Sequence, residues 1–274
     1  MPELPEVEVI VKGLNKNILN LKILDFKIIN KNLRYPLSKD MEDRFKNKTV
    51  KHILRRGKYG IIVFDGSEHI IFHLGMTGKF RLLKNKIDSN LHDHIVIQFN
   101  NGLNLIYNDV RKFGFFLVYS NHIDLYNFKK LGEEPNLLSH LKEELWKIFK
   151  SKKKNVKNIL LDQSFIAGIG NIYASEILFD CKLNPHIHGS KFDKKSFYRL
   201  LKSTETVLKK AILKGGVSIK DYRNIDGELG YFQIDLKVYG REGLACFKCK
   251  NLITKDTIAG RSTFYCKNCQ NIDG

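Results

Sequence analysis

No stretch of this 274-residue chain is apolar for the length that a membrane-spanning helix needs, and its start, Met1-Pro2-Glu3-Leu4-Pro5-Glu6, is too acidic for a secretory signal. Both absences point to a cytoplasmic protein that contacts no membrane. Cysteine is almost missing: there are five, and all but Cys181 lie between 246 and 269. A sparse set crowded at one end of a cytoplasmic chain indicates metal ligation rather than disulfides, and leaves Cys181 as a core thiol. Acidic residues are also short, 29 against 47 lysines and arginines, for a formal net charge of +18. That imbalance suggests a polyanionic partner. Arginine is scarce too, 10 against 37 lysines, so part of the charge reflects lysine-rich composition and not one binding face.

What is present is ordinary globular material, 43% hydrophobic and 11% aromatic, in a chain long enough for two or three domains. Residues 21–130 read as mainly β. Runs at 60–64, 68–72, 94–99, 103–107 and 115–119 are bounded by turn residues, with Asp65-Gly66 and Asn101-Gly102 the clearest hairpin signals. A β-sandwich or a barrel follows. Near Gly132-Glu133-Glu134-Pro135-Asn136 the alternation gives way to helical spacing, and 141–149, 156–161, 171–179 and 197–212 read as helices. Lys147, Lys150, Lys152, Lys153, Lys154 and Lys157 fall together with no acid among them. They read either as a solvated face or as phosphate contacts.

The loop Ala167-Gly168-Ile169-Gly170-Asn171 opens onto a helix, which suits an anion cradle or a tight turn. It has neither the preceding strand nor the lysine of a nucleotide-binding P-loop. The chain is irregular from Gly215 through Gly230, and 231–239 is expected to be extended. The tail carries Cys246-x2-Cys249, sixteen residues, then Cys266-x2-Cys269. Two thiolate pairs at this spacing complete a closed tetrahedral site, so one structural zinc is expected and catalytic zinc is not.

The first residues hold the most informative chemistry. A small residue after the initiator favours methionine removal, which would leave Pro2 as a free secondary amine beside Glu3. An α-amino group has a pKa of roughly 8, so it keeps an unprotonated fraction near neutrality without burial. Val7, Ile10, Val11, Leu14 and Ile18 recur at helical spacing, so a helix starting near Pro5 would anchor this terminus, with Glu6 and Glu8 favourable at its positive end.

Taken in order, M-P-E-L-P-E-V-E at the start, R-R-G-K-Y at 55–59, H-L-G-M-T-G at 73–78, H-D-H at 92–94, D-V-R-K-F-G at 109–114, G-I-G-N-I-Y-A-S-E at 168–176, V-Y-G-R at 238–241 and the cysteines around R-S-T-F-Y-C span essentially the whole chain. This pattern resembles the bacterial formamidopyrimidine-DNA glycosylase family. The resemblance implies an α+β protein: a catalytic N-terminal β-sandwich with flanking helices over 1–132, a helical helix-two-turn-helix DNA-binding domain over 133–236, and a C-terminal four-cysteine zinc finger over 237–274. It also implies a monomer acting on damaged double-stranded DNA, associated with the nucleoid through that binding.

By the same resemblance Pro2 is the nucleophile and Glu3 the acid that assists sugar-ring opening. Lys58 corresponds to the residue assigned to β-elimination and Arg261, at the tip of the finger, to the one assigned to δ-elimination. Met76, Arg111 and Phe113 correspond to side chains that fill the void left by an extruded base. His92, Lys153, Lys157, Asn171 and Tyr239 correspond to DNA contacts, and Cys246, Cys249, Cys266 and Cys269 to the zinc ligands. His73 and His94 read as structural. Lys112, Asn158 and Val217 depart from the family pattern. Leu4 and the R-K-F-G loop favour this family over the related endonuclease VIII branch, which usually has glycine after the Pro-Glu pair.

Overall fold

The computed structural model describes residues 1–84, 90–120, 130–216 and 236–271. They form two compact units: Met1–Lys129 with Gly215 and Gly216 in one, Lys130–Lys214 with the residues from 236 onward in the other.

In the first unit, α1 (Leu4–Ile18) buries Val7, Ile10, Val11, Leu14 and Ile18, the face its spacing sets out. Pro5 sits in its first turn, where a missing N–H leaves no intrahelical bond unmade. There follow β1 (Ile23–Ile28), a short α2 (Met41–Phe45), β2 (Val50–Arg56), β3 (Tyr59–Phe64), β4 (His69–His73), β5 (Lys79–Lys84), β6 (Asp93–Phe99), β7 (Leu103–Asn108) and β8 (Phe115–Tyr119). The strands make two four-stranded antiparallel sheets, ordered β1-β6-β7-β5 and β2-β3-β4-β8. Phe26, Ile95, Ile97, Phe99 and Tyr107 of one sheet and Ile53, Ile62, Phe64, Ile70 and Phe72 of the other lie in a single buried cluster that also takes in the α1 face. Two sheets around one core make a sandwich and not a closed barrel. Asp65-Gly66 lies between β3 and β4 and Asn101-Gly102 between β6 and β7, both glycines at positive φ.

The second unit contains α3 (Lys142–Lys150), α4 (Val156–Leu161), α5 (Asn171–Asp180), α6 (Lys194–Leu213) and the hairpin β9 (Thr254–Ile258) with β10 (Arg261–Tyr265). Every residue of α5 from Ile172 to Phe179 is buried, so this helix is the centre of the unit. The longer α6 starts where the Asp193 carboxylate accepts from the Ser196 amide at 2.6 Å. Phe149 joins the helices as an aromatic hub, 4.7 Å from the Phe197 ring and 5.0 Å from Phe192. Phe179 packs with Val238, Cys246, Ile253 and Cys266, so α5 and the cysteine-bearing tail share one small core. Of the stretch expected to be extended, 231–235 lies outside the described residues and 236–239 is bend and turn, not strand. Of the stretch expected to be irregular, 217–230 also lies outside them.

Candidate active site and nucleic-acid interface

At the start of α1, Pro2 and Glu3 are both buried. Glu3 is the N-cap and forms a reciprocal capping box with Glu6: the Glu3 carboxylate takes the Glu6 amide, and the Glu3 amide donates to Glu6 Oε2 at 2.8 Å. This box fixes the backbone on which the Glu3 side chain is presented. Glu6 thus does more than complement the helix dipole, and the S/T-x-x-E spacing rule finds it only if glutamate is allowed as the cap.

Lys58, 7% exposed, occupies the two-residue turn Gly57-Lys58 between β2 and β3, closed by the Arg56–Tyr59 pairing. Gly57 has a φ of 56°, the left-handed conformation such a turn requires. Arg55 ties this turn to α1 through an ion pair with Glu8 at 2.6 Å. Burial holds the chain's α-amino group below its ordinary pKa; Lys58 and Arg111 add to the shift and Glu3 and Glu6 oppose it. Those four side chains therefore lie within electrostatic reach of the chain terminus. The amine so described is that of Met1, the residue before Pro2.

Two loops carry Met76, Arg111 and Phe113, all three exposed. Met76 is 40% exposed and Phe113 45%, and the Arg111 guanidinium lies 4.9 Å from the Phe113 ring centroid. The loops touch backbone to backbone. A Cβ on Gly75 would stand 2.4 Å from the Phe113 carbonyl carbon, and one on Gly114 would stand 1.8 Å from Tyr107 Oη. Only glycine fits at such approaches, which explains the glycines of H-L-G-M-T-G and R-K-F-G.

Asp109 pins both loops from beneath. It has no exposed surface and accepts from the Gly114 amide at 2.8 Å, the Arg111 amide at 3.2 Å, Tyr107 Oη at 3.4 Å and the Thr77 hydroxyl. Burial and the neighbouring Asp109 charge push the Tyr107 phenol well above its usual range, so it stays a donor to Asp109. No role for Asp109 was assigned from the sequence; a carboxylate at the head of the glycine-bearing run D-V-R-K-F-G was the available signal. The half-buried His92 is tied to the same point, its carbonyl accepting from the Asp109 amide at 3.0 Å. His94 bridges the Asn30 and Asp109 carbonyls at 3.1 and 3.0 Å, and His73 stacks on Phe115, both structural roles.

In the second unit, three residues expected at DNA converge on β10. Lys157 is fully buried, with Nζ donating to the Ser262 carbonyl at 3.0 Å and to Thr263 Oγ1 at 2.6 Å. Asn171 Nδ2 donates to the same Ser262 carbonyl at 2.9 Å, and its buried Oδ1 has no hydrogen-bond partner. The Tyr239 ring packs edge-on against Phe264 at 5.1 Å. Arg261 is exposed and is the first residue of β10, after the positive-φ pair Ala259-Gly260. Lys153 is exposed, as are Lys147 and Lys154. Lys150 instead caps the Ser190 and Phe192 carbonyls, and Lys152 pairs with Asp162 at 2.9 Å. The lysine run is therefore part protein scaffold and part free face.

Glu176 is the largest omission of the sequence reading. It is 5% exposed, and its two oxygens accept from the amides of Lys237, Val238 and Tyr239 at 2.8 to 2.9 Å, joining α5 to the start of the finger. In the glycine loop, Gln163 clamps both sides: Oε1 accepts from the Gly168 amide at 2.9 Å and Nε2 donates to the Ile169 carbonyl at 2.8 Å. That engages the Gly168 amide, one of those an anion cradle would use, and holds the loop as a turn.

The four cysteines gather at the far end. Their sulfurs all lie within 4.8 Å of one another, with Cys246–Cys269 at 3.9 Å and Cys249–Cys266 at 3.4 Å. A tetrahedral zinc with Zn–S near 2.3 Å sets its sulfurs about 3.8 Å apart, so the donor set fits that ion and leaves no position open for substrate.

Comparison with known proteins gives the same organisation. The formamidopyrimidine-DNA glycosylase N-terminal domain matches residues 1–116, the corresponding H2TH domain residues 131–223, and the zinc finger found in FPG and IleRS residues 243–272. The formamidopyrimidine-DNA glycosylase of Rickettsia bellii is 40% identical over 277 residues, covering 98% of this chain and 99% of that one. A Lactococcus lactis FPG variant in complex with Fapy-dG-containing DNA is 35% identical with a TM-score of 0.92, over 99% of this chain and 100% of that one. A MutM complex with carbocyclic 8-oxo-G DNA is 34% identical with a TM-score of 0.90, over 99% and 100%. Three domain matches in one order, on this sandwich and this thiolate cluster, define the class as a DNA glycosylase carrying a single-zinc finger. The chain belongs to the formamidopyrimidine-DNA glycosylase family.

Proposed function

We propose that this chain is a bifunctional glycosylase and abasic-site lyase that removes oxidised purines, 8-oxoguanine and formamidopyrimidines, from double-stranded DNA. The observation that carries this reading is the anchored chain start: Pro2 and the capped Glu3 are buried, with Lys58 and Arg111 in electrostatic reach of the terminal amine. The lesions held by the Fapy-dG and 8-oxo-G complexes of its relatives support the substrate class.

Removal of Met1 frees the Pro2 nitrogen. Its lone pair attacks C1′ as the bond from C1′ to the base breaks and the base leaves with a proton. Glu3 protonates the ring oxygen as the sugar opens, which leaves an iminium between Pro2 and C1′. The iminium is an electron sink that acidifies C2′. Loss of that proton expels the 3′ phosphate, with Lys58 serving this β-elimination. A second elimination expels the 5′ phosphate, with Arg261 serving it, and hydrolysis returns the free amine. Cys246, Cys249, Cys266 and Cys269 would hold one zinc, whose contribution would be to fix the hairpin that bears Arg261.

Extruding the base costs a few kcal/mol of lost stacking and pairing. Phe113 wedges between bases, Arg111 pairs with the orphaned partner and Met76 fills the remaining void; their exposure on two rigid loops supports this role. His92 and Lys153 contact phosphate. Lys157, Asn171 and Tyr239 are assigned to DNA contact within the second unit, Lys157 and Asn171 bonded to the Ser262 carbonyl of β10 and Tyr239 packed on the Phe264 ring. We assign domains to 1–132, 133–236 and 237–274, and a monomer working in the cytoplasm on the nucleoid.

Borohydride trapping tests the proposal with methionine-processed protein and an 8-oxoguanine duplex. The expected result is a covalent adduct that mass spectrometry locates on Pro2, absent when an N-terminal tag blocks the amine. An adduct on an internal lysine, or none with intact processed protein, overturns it.

A further inference from the structure

The second unit contains a cavity of about 520 Å³ that none of the proposed roles uses. It lies between α5, α6 and the first cysteine knuckle, lined by Phe179, Val207, Phe247 and a set of lysines. Phe179 and Val207 are nearly buried and supply an apolar floor, whereas Phe247 is 54% exposed at the rim. Its size falls in the range of small-molecule sites, roughly 300–1,000 Å³.

The charge around it is lopsided. Lys210, Lys214, Lys237 and Lys248 line it against two carboxylates, Glu176 and Asp180. Both carboxylates have prior engagements: Glu176 with three backbone amides, and Asp180 with the Ser203 hydroxyl at 2.7 Å. Two of the ammonium groups are placed by ring faces, Lys248 Nζ 4.8 Å from the Phe179 centroid and Lys237 Nζ 5.2 Å from that of Phe247. A floor of this kind rejects an inorganic ion, which would lose its hydration against apolar carbon. A ring of ammonium groups rejects a cation and leaves a neutral hydrocarbon without its best contact.

We propose that this cavity binds a small organic anion with an apolar body, of the aromatic sulfonate or medium-chain carboxylate type. The ring or chain lies on Phe179 and Val207, and the acid group meets the lysines at the mouth.

Full-length, zinc-loaded protein is titrated with anilinonaphthalene sulfonate by fluorescence, and with decanoate and decanol by calorimetry. The expected result is one saturable site for both anions, with decanol weaker by about tenfold or more. The double variant Lys210→Glu/Lys248→Glu weakens both anions by about tenfold while keeping its zinc and thermal midpoint. Val207→Trp, which fills the floor, abolishes binding and decides the matter if the lysine variant loses its metal. Equal binding of decanol and decanoate, unchanged binding in Val207→Trp, or displacement of the sulfonate by undamaged duplex overturns the proposal; the last would make these lysines part of the nucleic-acid face.

Discussion

Asp109 is fully buried, and its partners are two backbone amides, a phenol and a hydroxyl, with no cation among those bonds. Such a carboxylate is stabilised by the donors aimed at it, and each donor in turn fixes part of a loop. Asp109→Asn keeps the shape but turns an NH2 group toward donors. It is expected to cost about 1–3 kcal/mol, read as a lowered thermal midpoint. Excision is expected to fall further than stability accounts for, because the Arg111–Phe113 loop loses its register. Comparing excision and melting in the same variant checks this. Glu176 and Lys157 follow the same logic as buried charges satisfied by distant backbone. The burial of these residues was hidden in the sequence because a lone Asp, Glu or Lys reads as surface, and burial depends on chain that arrives from far away.

At the scale of elements, the strands singled out from the sequence are mostly central ones. β3, β4, β6 and β7 are interior to their sheets, and β3 and β6 bury nearly every residue. The runs passed over, β1, β2 and β5, are all edge strands whose buried residues are interrupted by exposed or half-exposed charge. Edge strands carry such charges to block further pairing, so the signal that protects them also conceals them. The helices other than the short α2 were legible from their periodicity, and the start of α1 within a residue. What spacing could not give is the bond from α4 to β10. Lys157→Met removes a donor from the Ser262 carbonyl and Thr263 hydroxyl, 105 and 106 residues away. It is expected to cost about 1–3 kcal/mol. Hydrogen exchange should quicken in β9 and β10 while the sandwich strands keep their protection.

For the whole molecule, the small β9–β10 finger has a core of Val238, Ile253 and the cysteines, too little apolar area to hold it without metal. Chelation is therefore expected to release the finger, weaken DNA binding and leave the sandwich folded. Zinc-release colorimetry alongside near-ultraviolet circular dichroism checks this, and unchanged binding after metal loss would contradict it. The net charge of +18 predicts a steep salt dependence of duplex binding through counterion release. The slope of log affinity against log salt measures it, and a flat line would mean that the lysine excess is compositional.

The sequence by itself determined what depends on near neighbours: the zinc site, because two short cysteine spacings preset each thiolate pair; the hairpins, because Asp-Gly and Asn-Gly adopt positive φ cheaply; and the anchored Pro2-Glu3 start, because a helix follows at once. Tertiary structure alone decided which charges turn inward. Within one lysine run it buried Lys157, bonded Lys150 and Lys152 to the protein and left Lys153 in solvent. The reason is that desolvating a charge is tolerable only where donors or acceptors converge on it, and their convergence is a property of the folded chain.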